Sequence, residues 1–110
     1  VSHRDHRVVG RAALDAAYPL ARDRLSFPEL EREGLAPHNV RQIWLFASAA
    51  ADSYVDISAG WERKIAARLA HRSQTGDEES LRTSWRQRFS RIGAEVGLSL
   101  AEAFTIISLE

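Results

Sequence analysis

The chain reads as an α/β protein, and three observations predict it. Apolar residues recur at helical spacing in three stretches, around residues 6 to 20, 58 to 72 and 77 to 96. Ile43-Trp44-Leu45-Phe46 runs without a polar break, as a buried strand does. Two shorter strand-like runs, Tyr54-Val55-Asp56-Ile57 and Phe104 to Leu109, lie further along. The predicted order is helix, loop, strand, strand, helix, helix, strand. Its 110 residues suit one domain.

The first helix presents Val8, Val9, Ala12, Ala13, Ala16, Ala17 and Leu20 over a broad apolar face, with Asp5 as its N-cap or N-terminal acid. Pro19 places its stop near Tyr18. Between residues 21 and 39 no long period holds; Ser26-Phe27-Pro28-Glu29-Leu30 opens a short helical turn, and Gly34 and Pro37 punctuate a loop. A connection of that length is often functional, for instance as one wall of a cleft. Val40 to Ala47 forms the first strand, expected to be covered on both faces, and Asp52 and Ser53 turn the chain into the second. Ser58 is expected to cap the next helix, whose stripe is Trp61, Ile65 and Leu69. Asp77, Glu78 and Glu79 complement the start of the last helix, with the stripe Leu81, Trp85, Phe89, Ile92 and Val96 and Gly97 as its C-terminal stop.

Composition removes several classes of function. Fifteen basic residues balance fifteen acidic ones, leaving no basic excess for a phosphate backbone, so no nucleic-acid partner is expected. No apolar run approaches the roughly 20 residues of a membrane span, and no signal peptide opens the chain. Cysteine is absent, which excludes disulfides and thiolate chemistry and fits a cytoplasmic location. There is no glycine-rich phosphate loop and no G-x-S-x-G context for a serine nucleophile.

Chemical density is highest in Ser2-His3-Arg4-Asp5-His6. Histidines at i and i+3 of a helix start can aim two imidazoles at one point, and neutral imidazole is a common zinc ligand. The plainer alternative is two exposed histidines beside a helix-terminal acid. His71 follows the second long helix, where the dipole favours a cation, and His38 reads as a solvated loop residue. Trp44, Trp61 and Trp85 sit on apolar stripes and read as core.

His3-Arg4-Asp5-His6-Arg7-Val8-Val9-Gly10 resembles the H-P-D-H-x-x-x-G block of the LmbE-like, or PIG-L, zinc-dependent de-N-acetylases. The resemblance continues through Phe27-Pro28-Glu29-Leu30, Gly34-Leu35-x-Pro37-His38-x-Val40 and the strand that follows. It extends through Tyr54-Val55-Asp56-Ile57-Ser58, Lys64-Ile65-x-Ala67, His71-Arg72-Ser73-Gln74, Gly93-Ala94-Glu95-x-Gly97 and Ala101-Glu102-Ala103-Phe104. The resemblance implies a Rossmann-like fold and hydrolysis of an N-acetyl or other N-acyl group from a glucosamine-type substrate. It further implies Zn2+ held by His6, a catalytic His3 that serves the oxyanion or the leaving amine, and a catalytic Asp5 that orients that histidine. Arg4 stands where the family has proline.

The family's A-H-P-D-D-E block, which supplies two further zinc ligands and the general base, has no counterpart in these 110 residues. The resemblance therefore implies one partial domain over residues 1 to 110, the C-terminal half of such a fold, inactive and weakly zinc-binding without its N-terminal half. Val1 is then a true start or a truncation. Apolar surface is expected to be exposed around Val8, Val9, Ile43 and Leu45, with self-association as its consequence. The competing reading is a non-catalytic remnant or interaction module.

Overall fold

A computed structural model describes residues 3–109. Helix α1 spans Arg4–Asp15 and continues as a π-helical turn over Ala16–Leu20; α2 spans Pro28–Arg32, β1 Gln42–Phe46 and β2 Ser53–Asp56. Helix α3 spans Trp61–Ala70, followed by a 3-10 turn over Arg72–Gln74; α4 spans Glu78–Ala94 and β3 Ala101–Ser108. The element order is the expected one. The strands form one sheet with β3 between β1 and β2. Strands β2 and β3 are antiparallel, with Ser53 opposite Phe104 and Asp56 opposite Ala101. Backbone bonds from Asp52 N–H to Phe104 O (2.9 Å) and from Ile57 N–H to Leu100 O (3.0 Å) extend that ladder at both ends.

The chain divides into two compact units. One comprises the described residues up to Trp44 together with those from Ile106 onward; the other is Leu45–Thr105. The second unit holds the core. Trp61, Ile65, Phe89 and Leu100 are buried against each other, with Ile57, Leu69, Leu81, Trp85 and Ile92 packed around them. The helical stripes of α3 and α4 are thus what the periodicity predicts. Val96 departs from the expectation: α4 ends at Ala94, so Val96 lies past the helix and is 43% exposed.

Polar contacts fix how α3 and α4 face each other. Arg82 reaches Glu62 with both terminal nitrogens (3.1 and 3.0 Å) and Glu78 with Nε (2.9 Å). The guanidinium holds the Glu62 carboxyl below its ordinary range. Lys64 pairs with Glu102, and its ammonium lies over the Trp85 and Phe89 rings at 5.2 and 4.8 Å from their centroids. Asp77 caps α4, its carboxylate accepting from Ser80 N–H at 2.8 Å. That bond lowers the Asp77 pKa from 3.8. A depressed carboxylate pKa stabilises the fold above the unfolded value, and the gain disappears as pH falls through the folded value. Asp77→Ala is therefore expected to lower the melting temperature at pH 7 and to match the parent near pH 2, as thermal scans across that range would show.

The first unit is organised differently, because none of its described residues is buried. Helix α1 starts one turn earlier than its apolar pattern, and His3 rather than Asp5 is the cap: Asp5 sits in the first turn. Tyr18 leaves helical backbone (φ −153°, ψ 125°) directly before Pro19, joined by a cis peptide bond, so the predicted stop appears as a kink. Pro28 opens α2 at its first position, as expected.

Two further expectations are corrected. Strand β1 alternates in burial instead of being covered on both faces. Ile43 and Leu45 are half-buried, whereas Trp44 and Phe46 are 46% and 80% exposed. The open apolar side of β1 is therefore the opposite one to that expected, since side chains alternate across a strand. Gly60, not Ser58, precedes α3; the Ser58 N–H is instead held by the Asp56 carboxylate at 2.9 Å. Val8 and Val9 are 60% and 66% exposed, as expected.

Candidate functional site

The histidine pair lies at the entrance of α1. His3 has extended backbone (φ −55°, ψ 146°), and its carbonyl accepts the first helical bond, from Arg7 N–H at 3.3 Å. Its side chain folds back over the helix start, where Nδ1 accepts from Asp5 N–H at 3.2 Å. His6 follows three residues on, and the i, i+3 spacing sets the two rings 5.8 Å apart, tilted by 59°. All three side chains named by the sequence are exposed.

That cap places Nδ1 of His3 against the Asp5 amide. The Asp5 carboxylate is further away, its Oδ2 3.8 Å from the same Nδ1, and its Oδ1 lies 3.6 Å from Arg4 Nε. Asp5 thus meets His3 through both its backbone N–H and, at longer range, its carboxylate. The imidazole of His6 stands alongside.

The donor set is too small for a zinc site. A catalytic zinc takes three protein ligands and a water. Among the described residues no three His, Cys, Asp or Glu side chains are grouped to hold a metal ion.

The other histidines lie elsewhere. His71 is exposed at the C-terminal end of α3, its N–H bonded to Arg68 O at 3.1 Å and its carbonyl accepting from the Thr75 hydroxyl at 2.9 Å. His38 is an exposed loop residue whose N–H donates to Ala21 O at 2.8 Å. It borders a cavity of about 380 Å³ formed by the kinked end of α1, α2 and the loop beyond. The long connection does wall a cleft. Its apolar lining includes Leu20, Phe27, Leu30 and Leu35, which share no single period, so the signal for the cleft was the length of the loop itself.

No helix among the described residues is long and apolar enough to cross a membrane. No protein-family model matches the chain. No curated protein matches it either. Among solved structures, it is similar to the N,N'-diacetylchitobiose deacetylase from Pyrococcus horikoshii, determined with its inhibitor MPG. The TM-score is 0.83 and the identity 28%, over 97% of this chain and 41% of that one. The chain therefore spans about two-fifths of the length of that enzyme, and its α/β architecture is that of part of a deacetylase fold.

Proposed function

We propose that residues 1 to 110 act as one partial domain of a zinc-dependent hydrolase that removes an N-acyl group from an amino-sugar-type amide. The observation that carries this reading is the similarity to a chitobiose deacetylase over 97% of the chain. The His3-x-Asp5-His6 start of α1 supports it independently. In this reading His6 ligates zinc, and His3 serves the oxygen that becomes negative as the amide is attacked, or the leaving amine. Zinc, where bound, polarises the carbonyl and lowers the pKa of a bound water. The remaining ligands and the general base come from polypeptide beyond these residues. Asp5 orients His3, its amide and its carboxylate both lying beside Nδ1.

The absence of a three-ligand group among the described residues favours one alternative, an interaction module without catalysis. A replacement chimera separates the two. This chain takes the place of the matched 41% of the Pyrococcus enzyme, which contributes the rest. We expect zinc at one equivalent and hydrolysis of N,N'-diacetylchitobiose, with His6→Ala losing tight zinc binding and at least about 100-fold in rate. The 110-residue chain alone is expected to bind zinc weakly and to be inactive. A folded chimera that neither holds zinc nor hydrolyses substrate would favour the interaction module. Tight one-to-one zinc binding by the isolated monomeric chain would contradict the partial-site reading.

A further inference from the structure

Charge balances over the whole chain but not at the start of α1. Residues 3 to 11 hold Arg4, Arg7 and Arg11 against one carboxylate, Asp5, and all four side chains are exposed. Spaced at i, i+3 and i+7, the three arginines follow one side of the helix. Arg4 differs from the others in being next to His3 and in being little used by the fold. Its side chain is 82% exposed. Its ionic contact among the described residues runs from Nε to Asp5 Oδ1 at 3.6 Å, longer than a hydrogen bond. Oδ2 of the same carboxylate lies 3.8 Å from His3 Nδ1. One carboxylate therefore stands between the guanidinium and the imidazole. The two terminal nitrogens of Arg4 make no hydrogen bond among the described residues.

We infer that Arg4 determines specificity at the proposed site, and that the amide substrate carries an anionic group, a carboxylate or a phosphate, which Arg4 binds. The guanidinium presents two parallel N–H donors in a planar fork, and that fork matches two oxygens of either anion. A neutral amino sugar would leave the fork to water. Arg7 and Arg11 extend the positive field along the helix and draw an anion toward it without fixing its position. Arg4 selects which amide is held and has no part in cleaving the bond. The inference rests on the function proposed above, because it takes His3 and His6 as the reacting end of the site.

The test uses the replacement chimera. Without zinc, so that nothing is turned over, it is titrated calorimetrically with N-acetylglucosamine 6-phosphate, N-acetylmuramic acid and neutral N-acetylglucosamine. At least one of the two anions should bind about 10-fold or more tightly than the neutral sugar, and the tighter one names the substituent. Arg4→Gln should bring that ratio close to one. Arg4→Lys, which keeps the charge and loses the fork, should retain part of it. Arg11→Gln, a change about 10 Å further along the helix, should keep most of it. Equal binding of neutral and anionic sugars overturns the inference, as does a preference that survives Arg4→Gln or is lost equally in Arg11→Gln. With zinc restored, hydrolysis of the three sugars is measured alongside. Anion binding that depends on Arg4 without any hydrolysis leaves the anion site standing and removes the proposed function. Hydrolysis with the same kcat/KM for neutral and anionic sugars, unchanged by Arg4→Gln, does the reverse.

Discussion

Phe89→Ala should cost about 4 kcal/mol, close to the upper limit for truncating one core aromatic. Phe89 is 6% exposed and stands at the centre of the α3–α4 contact. Its ring meets Trp61 edge-on at 6.2 Å and Trp85 edge-on at 5.6 Å between centroids. Such pairs contribute beyond their buried area, because the positive edge of one ring faces the negative face of the other. The Lys64 ammonium above the same ring loses part of its support as well. Against a total stability of roughly 5–15 kcal/mol for a folded chain, this loss is large enough to leave the core unit partly unfolded at 37 °C. Urea titration followed by tryptophan fluorescence reads it directly, since Trp61 and Trp85 report from the site of the change. A loss below about 1 kcal/mol would mean that the two tryptophans close over the gap, and that the aromatic cluster is looser than its geometry indicates.

Gly93→Ala is the second, and its sign is the informative part. Helix propensity alone favours alanine over glycine by about 1 kcal/mol in a helix interior. The structure predicts the opposite result. Gly93 is buried in the last turn of α4, and a Cβ there would lie 2.4 Å from Leu98 O, 3.0 Å from Leu98 C and 3.2 Å from Ser99 C. All three are backbone atoms, which cannot swing aside as the end of a side chain can. The chain comes so close because it reverses after α4. Leu98 N–H and Val96 N–H both return to Gly93 O, at 2.9 and 3.0 Å, and Gly97 takes the left-handed backbone (φ 74°) that closes the turn. The same reversal delivers Leu100 and Ala101 into the core at the start of β3. Overpacking of a fixed site costs about 1–3 kcal/mol, and here it acts on the backbone that feeds the central strand. A net destabilisation of about 2 kcal/mol is expected by chemical denaturation. Stabilisation by Gly93→Ala would show that the reversal has slack.

Much of the fold was legible because its signals are local. The 3.6-residue period of Trp61, Ile65 and Leu69, and of Leu81, Trp85, Phe89 and Ile92, is a property of neighbouring residues, and it identified the two helices and the faces that meet. Pro19, Pro28 and Gly97 act through their own backbone, so the kink, the start of α2 and the turn after α4 could be placed without knowing what surrounds them. The histidine pair was visible for the same reason: i, i+3 spacing on a helix start brings two rings together whatever the rest of the chain does.

Burial was not legible in the same way. Ile43 to Phe46 is apolar throughout, and such a run does not say which side is covered; the structure half-buries Ile43 and Leu45 and leaves Trp44 and Phe46 open. Nor does the sequence state that Gly93 is pressed against Leu98, or that the Asp5 amide bonds to His3 Nδ1. What the sequence by itself determined is the series of helices and strands, the histidine pair at the start of α1, and the resemblance to zinc-dependent deacetylases. Only the tertiary structure decided which apolar stripes are used and where the core lies. The physical reason is that periodicity, capping and turn chemistry are set by residues a few positions apart, whereas burial, close backbone approach and metal coordination depend on atoms that only folding brings together.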